Sequence, residues 1–474
     1  MDTSKSLDMN ADEFRRWGYY AIDWIADYLA NSEEYPVMAQ IEPGAIREQL
    51  PSSPPEAGEP MEEIFADLQR VLVPGLTHWN HPDFFAYFAN TGSCPGILGE
   101  LLTAAFNVNA MLWKTSPSAT ELEEVVLDWL RQMLEIPENY MGVVYDSASI
   151  GTFHAFAAAR QAIEEHDVLE HGVAGPEAPR LRLYTSEQAH SSVERGALAI
   201  GLGKRGIVKI GVDDQFRLKV KELEGAIERD FEQGWRPFCV SATVGTTSTT
   251  SIDPLIGIAD LCERYGLWFH VDAAYAGSAA ILPELRYILE GCELADSLVV
   301  NPHKWLFTPM DFSAFYCRKP EILKKAFSVT PEYLKTIEGD TVTNYMDYGI
   351  HLGRRFRALK FWMIVRYFGV EGLRERIREH IRLGKLFGSW VEENPVFTLV
   401  APVIFSTVCF RVEGSDQQNQ TLLHQINASG KAFLSHTTLE NRLTLRFTVG
   451  NLRTEEQHVR RTWNLIESLV SELK

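Results

Sequence analysis

The chain is predicted to be an α/β protein, with a large, mostly parallel sheet covered by helices on both faces, an N-terminal helical arm and a small C-terminal α+β domain. Three observations predict it. Between about residues 85 and 320, short β-rich runs alternate with helical stretches, the pattern of a parallel sheet with crossover helices. Apolar residues at helical spacing open the chain, followed by a stretch rich in Pro, Gly and Ser. Beyond Gly349, a long helical stretch gives way to short strands with helical spacers.

The elements follow in order. From Asp12 to Asn31, Phe14, Trp17, Ala21, Ile22, Ile25, Tyr28 and Leu29 fall on one helical face, which needs a partner to cover it. That arm is expected to pack on a second subunit. IEPGAIREQLPSSPPEAGEP (41–60) reads as an extended connection. Strands are expected at GVVYD (142–146), RLRLYTS (180–186), FCVSATVG (238–245), LWFHVD (267–272) and SLVVN (297–301). The stretch RRFRALKFWMIVRYF starts a long helix, and FTLV, TVCFRVEG and RLTLRFTVG are the later strands. The expected division is an arm at 1–84, a large α/β domain at 85–349 and a small domain at 350–474.

A net charge of -19 argues against a nucleic-acid binder, whose affinity comes from Lys and Arg neutralising phosphates. The six cysteines are scattered with no CxxC pair, and so read as reduced thiols of a cytoplasmic protein. MDTSKSLDMNADEFRRW lacks a basic segment followed by an apolar core, and no run of about 18 uncharged apolar residues suits a membrane span. No metal site is expected, and no GxGxxG follows a strand to suggest a dinucleotide.

Ligands of parallel sheets lie beyond the carboxyl ends of the strands, so the residues just after each strand are the candidates. Lys304 in NPHKW follows a buried strand, where lost hydration lowers a lysine pKa toward a nucleophilic amine. Asp272 in HVDAAYAG ends the strand before it, and a carboxylate partner for a pyridine nitrogen is the second part that pyridoxal 5'-phosphate (PLP) chemistry requires. Small Ala273, Ala274, Ala276 and Gly277 leave room for a flat ring. His190 follows a third strand, Thr246 and Thr247 a fourth, and SASIG (147–151) leads from a fifth into a helix whose N–H groups suit a phosphate. Each has an ordinary alternative: a packed lysine stem, a helix cap at Asp272, Ser147 or Ser149, a structural histidine, threonines in a turn. Asp146 is a complication, since a carboxylate repels a phosphate unless it faces away.

Seven segments in order, HWNHPDFFAYF (78–88), TSPSATELE (115–123), QAHSSVERG (188–196), HVDAAYAGSA (270–279), NPHKW (301–305), PEYLK (331–335) and LGRRFRALK (352–360), carry a near full-length resemblance. The chain resembles the group II PLP-dependent amino acid decarboxylases of the aromatic-L-amino-acid decarboxylase type. The resemblance implies PLP-dependent transferase fold type I, the aspartate aminotransferase-like fold, and a homodimer with active sites at its interface. It implies that Lys304 binds the cofactor covalently, Asp272 binds its ring nitrogen, and His190 stacks over the ring. Ala148, Ser149, Asn301 and His303 would approach the phosphate, with Thr246 and Ala274 beside the ring. Tyr333 would protonate the carbon left after carbon dioxide departs; relatives with phenylalanine there tend to make aldehydes.

Trp79, Tyr87, Phe88 and Gly353 support a flat aromatic substrate side chain on the same resemblance. Ala89 and Asn90 depart from the FFAYFPT of aromatic-specific relatives, and Asn109 and Met111 in NVNAMLW (107–113) make the expected pocket more polar. The expected reaction converts an L-amino acid (tryptophan, phenylalanine, tyrosine or dihydroxyphenylalanine) to its amine and carbon dioxide. The alternatives are an aldehyde synthase, an aminotransferase with Arg446 clamping the carboxylate, or a noncatalytic dimeric binding protein.

Overall fold

Seven short runs of β-formers build the main sheet: β1 (Met141–Tyr145), β2 (Leu181–Ser186), β3 (Ile207–Ile210), β4 (Arg236–Thr243), β5 (Trp268–Asp272), β6 (Ser297–Val300) and β7 (Ser313–Cys317). The computed structural model describes residues 8–329, 337–338 and 341–472. The strand order is β1-β7-β6-β5-β4-β2-β3. From β3 to β6 every pair is parallel, and β7 runs antiparallel to β6 and β1.

Side chains alternate between two apolar clusters, as the period of two in a strand requires. Val143, Tyr145, Leu183, Trp268, Val299 and Phe315 face one cluster, with Ala148–Gln161 and Ser191–Ala199 packed there. Val144, Tyr184, Val240, Phe269, Val271 and Leu298 face the other, beneath Pro117–Met133 and Leu255–Tyr265. Strands β5, β6 and β7 are buried at every residue, the mark of a sheet covered on both faces.

A second sheet of β8 (Phe397–Leu399), β9 (Thr407–Val412), β10 (Ser435–Leu439) and β11 (Arg442–Thr448) is antiparallel in the order β10-β11-β9-β8. Phe387, Phe410, Leu422, Phe447, Val459 and Trp463 form its core. The five large-sheet strands expected from sequence are present. Strands β3, β7 and β10 were not expected: β3 and β10 are short edges whose exposed side chains weaken the apolar signal. β7 is a five-residue run that begins on the polar Ser313.

The first helix, Ala11–Ala30, is capped by Asn10, whose side chain accepts the N–H groups of Asp12 and Glu13. Of its apolar face, Trp17 and Leu29 are buried while Phe14 remains 63% exposed. The 41–60 connection is not wholly extended, because Ala45–Gln49 closes a short helix behind Gly44. The long helix Ala358–Glu393 packs tightly on Cys94–Phe106: a Cβ at Gly99 would lie 2.6 Å from Lys360 Cα. It is broken at Gly369, φ 64 and ψ 169.

Two of the sequence segments meet at β1. The Arg354 guanidinium donates to Glu123 Oε1 at 2.6 Å and to the Val144 carbonyl at 2.9 Å, while the Val144 N–H donates to the same Glu123 oxygen at 2.9 Å. This buried pair ties TSPSATELE and LGRRFRALK to the strand that leads into the site.

Candidate active site

Asp272 is the last residue of β5, and Lys304 lies on Pro302–Trp305, a single helical turn that follows β6 directly. Parallel pairing of these neighbours puts both residues at one end of the sheet. Asp272 Oδ1 accepts the Ala274 N–H at 3.0 Å, so the carboxylate is oriented by its own turn. Its Oδ2 takes no hydrogen bond among the described residues. Burial lowers the Lys304 pKa, opposed by the charge of Asp272 and assisted by that of Arg446.

Phe88 forms a wall here. Its ring stacks on Tyr275 at 3.6 Å, Tyr275 stacks on Trp305 at 4.7 Å, and Trp305 Nε1 donates to His380 Nδ1 at 3.0 Å. Lys304 Nζ lies 5.5 Å from the Phe88 centroid and the Arg446 guanidinium 4.4 Å. Arg446 Nε donates to the Ser248 carbonyl at 3.1 Å and Nη1 to the Tyr87 carbonyl at 2.8 Å, leaving Nη2 without a partner among the described residues. Sequence reasoning did not find Tyr275, Trp305 or Ser248. The first two stand inside HVDAAYAG and NPHKW, so the aromatic letters of those segments were the available signal.

His190 caps Ser191–Ala199, its Nδ1 accepting the Ser192 N–H at 3.1 Å; the neutral ring therefore carries its proton on Nε2. Desolvation holds its pKa below the usual value, with Asp272 opposing and Lys304 and Arg195 adding. His303 is fixed likewise: Nδ1 accepts the Phe312 N–H at 3.0 Å, and burial brings its pKa to about 3. A neutral His303 presents Nε2–H as a donor.

At the end of β1, Ser147 caps Ala148–Gln161 by accepting the Ile150 N–H at 3.4 Å. Ser149, the other candidate cap, stands exposed in the first turn with no such bond. The amides of that turn and the dipole behind them suit an anion. Asp146 shares a small cavity with His351, Arg354 and Arg357, which offsets the repulsion anticipated for it. Asn301 Oδ1 accepts the Ser313 hydroxyl at 2.6 Å, and its N–H donates to the Ala274 carbonyl at 3.1 Å. Thr246 Oγ1 accepts the Ser251 N–H at 3.0 Å and lies 3.1 Å from Thr249 Oγ1, which places it in a buried hydroxyl turn.

A half-buried lysine, a carboxylate with one free oxygen, two neutral histidines and an open helix N-terminus, all at one sheet end, fit the amine-reactive aldehyde, ring nitrogen and phosphate of PLP. Residues 43–413 match the family described as Pyridoxal-dependent decarboxylase conserved domain. The chain belongs to this family. Aromatic-L-amino-acid decarboxylase of Rattus norvegicus is 42% identical over 479 residues, covering 98% of each chain. Phenylacetaldehyde synthase of Arabidopsis thaliana is 39% identical over 482 residues, covering 98% of this chain and 97% of its own. Among solved structures, Oryza sativa TDC with PLP and tryptamine aligns at TM-score 0.95 and 37% identity over 99% of both chains. This decarboxylase is a PLP-dependent carboxy-lyase acting on an amino acid, with the fold type I architecture.

The substrate candidates form two groups. In one, the Trp79 and Tyr87 rings lie 5.9 Å apart beside Phe88 and Ala89, and Asn90 Nδ2 reaches Met310 Sδ at 3.8 Å. In the other, Asn109 Oδ1 accepts the Arg354 N–H at 2.9 Å next to Gly353, and Asn109 Nδ2 reaches Met111 Sδ at 3.4 Å. No hydrogen bond or ring contact joins the two groups among the described residues. Tyr333 lies outside the described residues. Among those described, no helix is long and apolar enough to cross a membrane.

Proposed function

We propose that this enzyme decarboxylates an aromatic L-amino acid to its amine as a cytoplasmic homodimer, dividing its chain into an arm (1–84), a large domain (85–349) and a small domain (350–474). The observation that carries the substrate class is the Phe88 ring, stacked on Tyr275 with its centroid 5.5 Å from Lys304 Nζ. The names of the relatives agree with it.

PLP, when bound, accepts the electron pair left when the Cα–carboxylate bond breaks. Lys304 holds the cofactor through its amine, whose lowered pKa favours the free base that reacts. Asp272 Oδ2 keeps the proton on the ring nitrogen, a charge interaction that strengthens as negative charge develops. Ala148, Ser149, Asn301 and His303 would hold the phosphate, with His303 Nε2–H available as a donor. His190, whose Nε2–H is left to donate, would cover the ring, and Thr246 and Ala274 would line it. Tyr333 delivers the proton to Cα.

Support for the homodimer comes from the split substrate groups, which a second copy would complete by setting Asn109, Met111 and Gly353 against the Trp79 group. Leu98, Leu101, Leu102 and Phe106 also form an exposed apolar stripe on Cys94–Phe106. A second reading, transamination, draws on Arg446 Nη2, unpaired among the described residues, which could clamp a carboxylate.

The deciding experiment incubates PLP-loaded protein with a panel of L-amino acids and follows carbon dioxide, amine, aldehyde and keto acid by mass. Amine from aromatic substrates is expected, abolished in Lys304→Ala and diverted to aldehyde in Tyr333→Phe. Keto acid without carbon dioxide would select transamination, and amine from nonaromatic substrates alone would overturn the substrate class.

A further inference from the structure

The long helix Ala358–Glu393 passes from one core to the other at His380: Ile377 belongs to the main-sheet core and Leu383 to the core of the second sheet. The imidazole is buried at that junction and uses both of its nitrogens. Nδ1 accepts the Trp305 Nε1–H at 3.0 Å, so the neutral ring carries its proton on Nε2, which is hydrogen-bonded to the Asn451 backbone. Burial brings its pKa to about 4, so the ring keeps one donor and one acceptor at neutral pH. An apolar residue would fill the junction without the cost of burying a polar ring, so packing alone does not account for histidine here.

Asn451, fully buried, carries the connection on to HWNHPDFFAYF (78–88). Its Nδ2 donates to the Trp79 carbonyl at 3.0 Å and to the His81 carbonyl at 2.8 Å, while Oδ1 accepts the Arg453 N–H at 2.9 Å. The rest of the segment is fastened to the same unit. The Phe85 N–H donates to the Phe433 carbonyl at 2.9 Å, the Phe85 carbonyl accepts the Thr448 N–H at 2.9 Å, and Thr454 Oγ1 donates to the Pro82 carbonyl at 2.6 Å. The segment therefore rides with the second sheet, while the Lys304 turn is held by its own strand, Lys304 N–H donating to the Asn301 carbonyl at 2.9 Å. Two paths join that turn to the segment: the stacked rings of Trp305, Tyr275 and Phe88, and the bonds from Trp305 through His380 to Asn451. Stacking is satisfied over a range of offsets, whereas a hydrogen bond weakens steeply out of line, so the second path is the one that fixes position.

We propose that His380 and Asn451 are positioning residues for substrate binding: their buried hydrogen bonds fix the segment carrying Phe88 against the turn carrying Lys304, and so the width of the space left for the substrate side chain. This rests on the aromatic reading of the substrate given above. On that reading Phe88 meets the side chain and not the bond that breaks, so a displaced Phe88 weakens the ground state and the transition state alike.

The test is steady-state kinetics of the PLP-loaded wild type, His380→Phe, His380→Gln and Asn451→Asp on L-tryptophan, L-tyrosine and L-phenylalanine. His380→Phe keeps a ring and removes both bonds, whereas glutamine keeps an oxygen for Trp305 Nε1 and an N–H for the Asn451 backbone. Asn451→Asp keeps the size and loses the donors to the Trp79 and His81 carbonyls, and it carries the test should His380→Phe fold poorly. On the best aromatic substrate, KM is expected to rise about fivefold or more in His380→Phe and Asn451→Asp with kcat within about twofold, and His380→Gln to stay within about twofold of wild type in both. A merely structural loss lowers the fraction of active enzyme, which reduces kcat and leaves KM where it was. That pattern overturns the positioning role, and so does a His380→Gln enzyme as impaired as His380→Phe. The aromatic reading stands in both cases, provided the wild type makes an aromatic amine. A wild type that makes amine from nonaromatic amino acids alone overturns the aromatic reading and this one with it.

Discussion

Asp272 gives one oxygen to its own turn and keeps the other free, a division with a testable consequence. Asparagine in its place has one carbonyl oxygen and no charge. The Ala274 N–H can be satisfied by that oxygen, while the stabilisation of a protonated ring nitrogen is lost. Asp272→Asn is therefore expected to keep the fold and lower kcat by about 100-fold or more, the scale seen when a preorganised electrostatic partner is removed. Steady-state kinetics beside a melting curve checks it; a kcat within about threefold of wild type would sink the assigned role. His190 and His303 are constrained from the opposite direction, since a backbone N–H at each Nδ1 fixes which nitrogen is left to donate.

At the scale of elements, Lys304, Asp272, His190 and Thr246 were legible because a parallel sheet delivers its strand ends to one side, and the strands themselves are apolar runs. What was not legible depends on distant partners. No local pattern reveals that Phe88 stacks on Tyr275 from a segment nearly two hundred residues away, or that Glu123 serves Arg354 and β1 together. Edge strands β3 and β10 were hidden because edges tolerate polar residues. The break in Ala358–Glu393 was equally hidden, since a glycine inside a helical pattern gives no sign of its dihedrals. At φ 64 and ψ 169, Gly369 occupies a region that is nearly glycine-only, and a Cβ there meets nothing within 4 Å. Gly369→Ala should then lower unfolding stability by about 1–3 kcal/mol through the backbone alone, with kcat unchanged. Urea denaturation that shows no loss would mean the helix can straighten through this point.

Over the whole molecule, burial of neutral imidazoles predicts how stability follows pH. Desolvation is the largest cause of the depressed pKa at each of His81, His154, His270, His303 and His380, which reach about 4, 3, 4, 3 and 4. Unfolded, each would titrate near about 6.5. In the window between, the unfolded chain binds protons that the native chain does not, so unfolding free energy rises with pH. Their contribution is complete above about 6.5 and is lost as pH falls toward the folded values, at up to about 1.4 kcal/mol per pH unit for each group. Asp253 acts in the opposite sense: burial lifts it to about 6, so its part of the stability is greatest in acid and declines as pH rises through that value. Several imidazoles outweigh one carboxyl, and the urea midpoint is expected to change little from pH 7.5 to about 6.5 and to fall from there to pH 5. His380→Gln separates this from general acid effects, because a glutamine oxygen can still accept from Trp305 Nε1 without titrating. The variant should show a shallower fall over the same range, and a slope equal to that of wild type would remove His380 from the set of groups responsible.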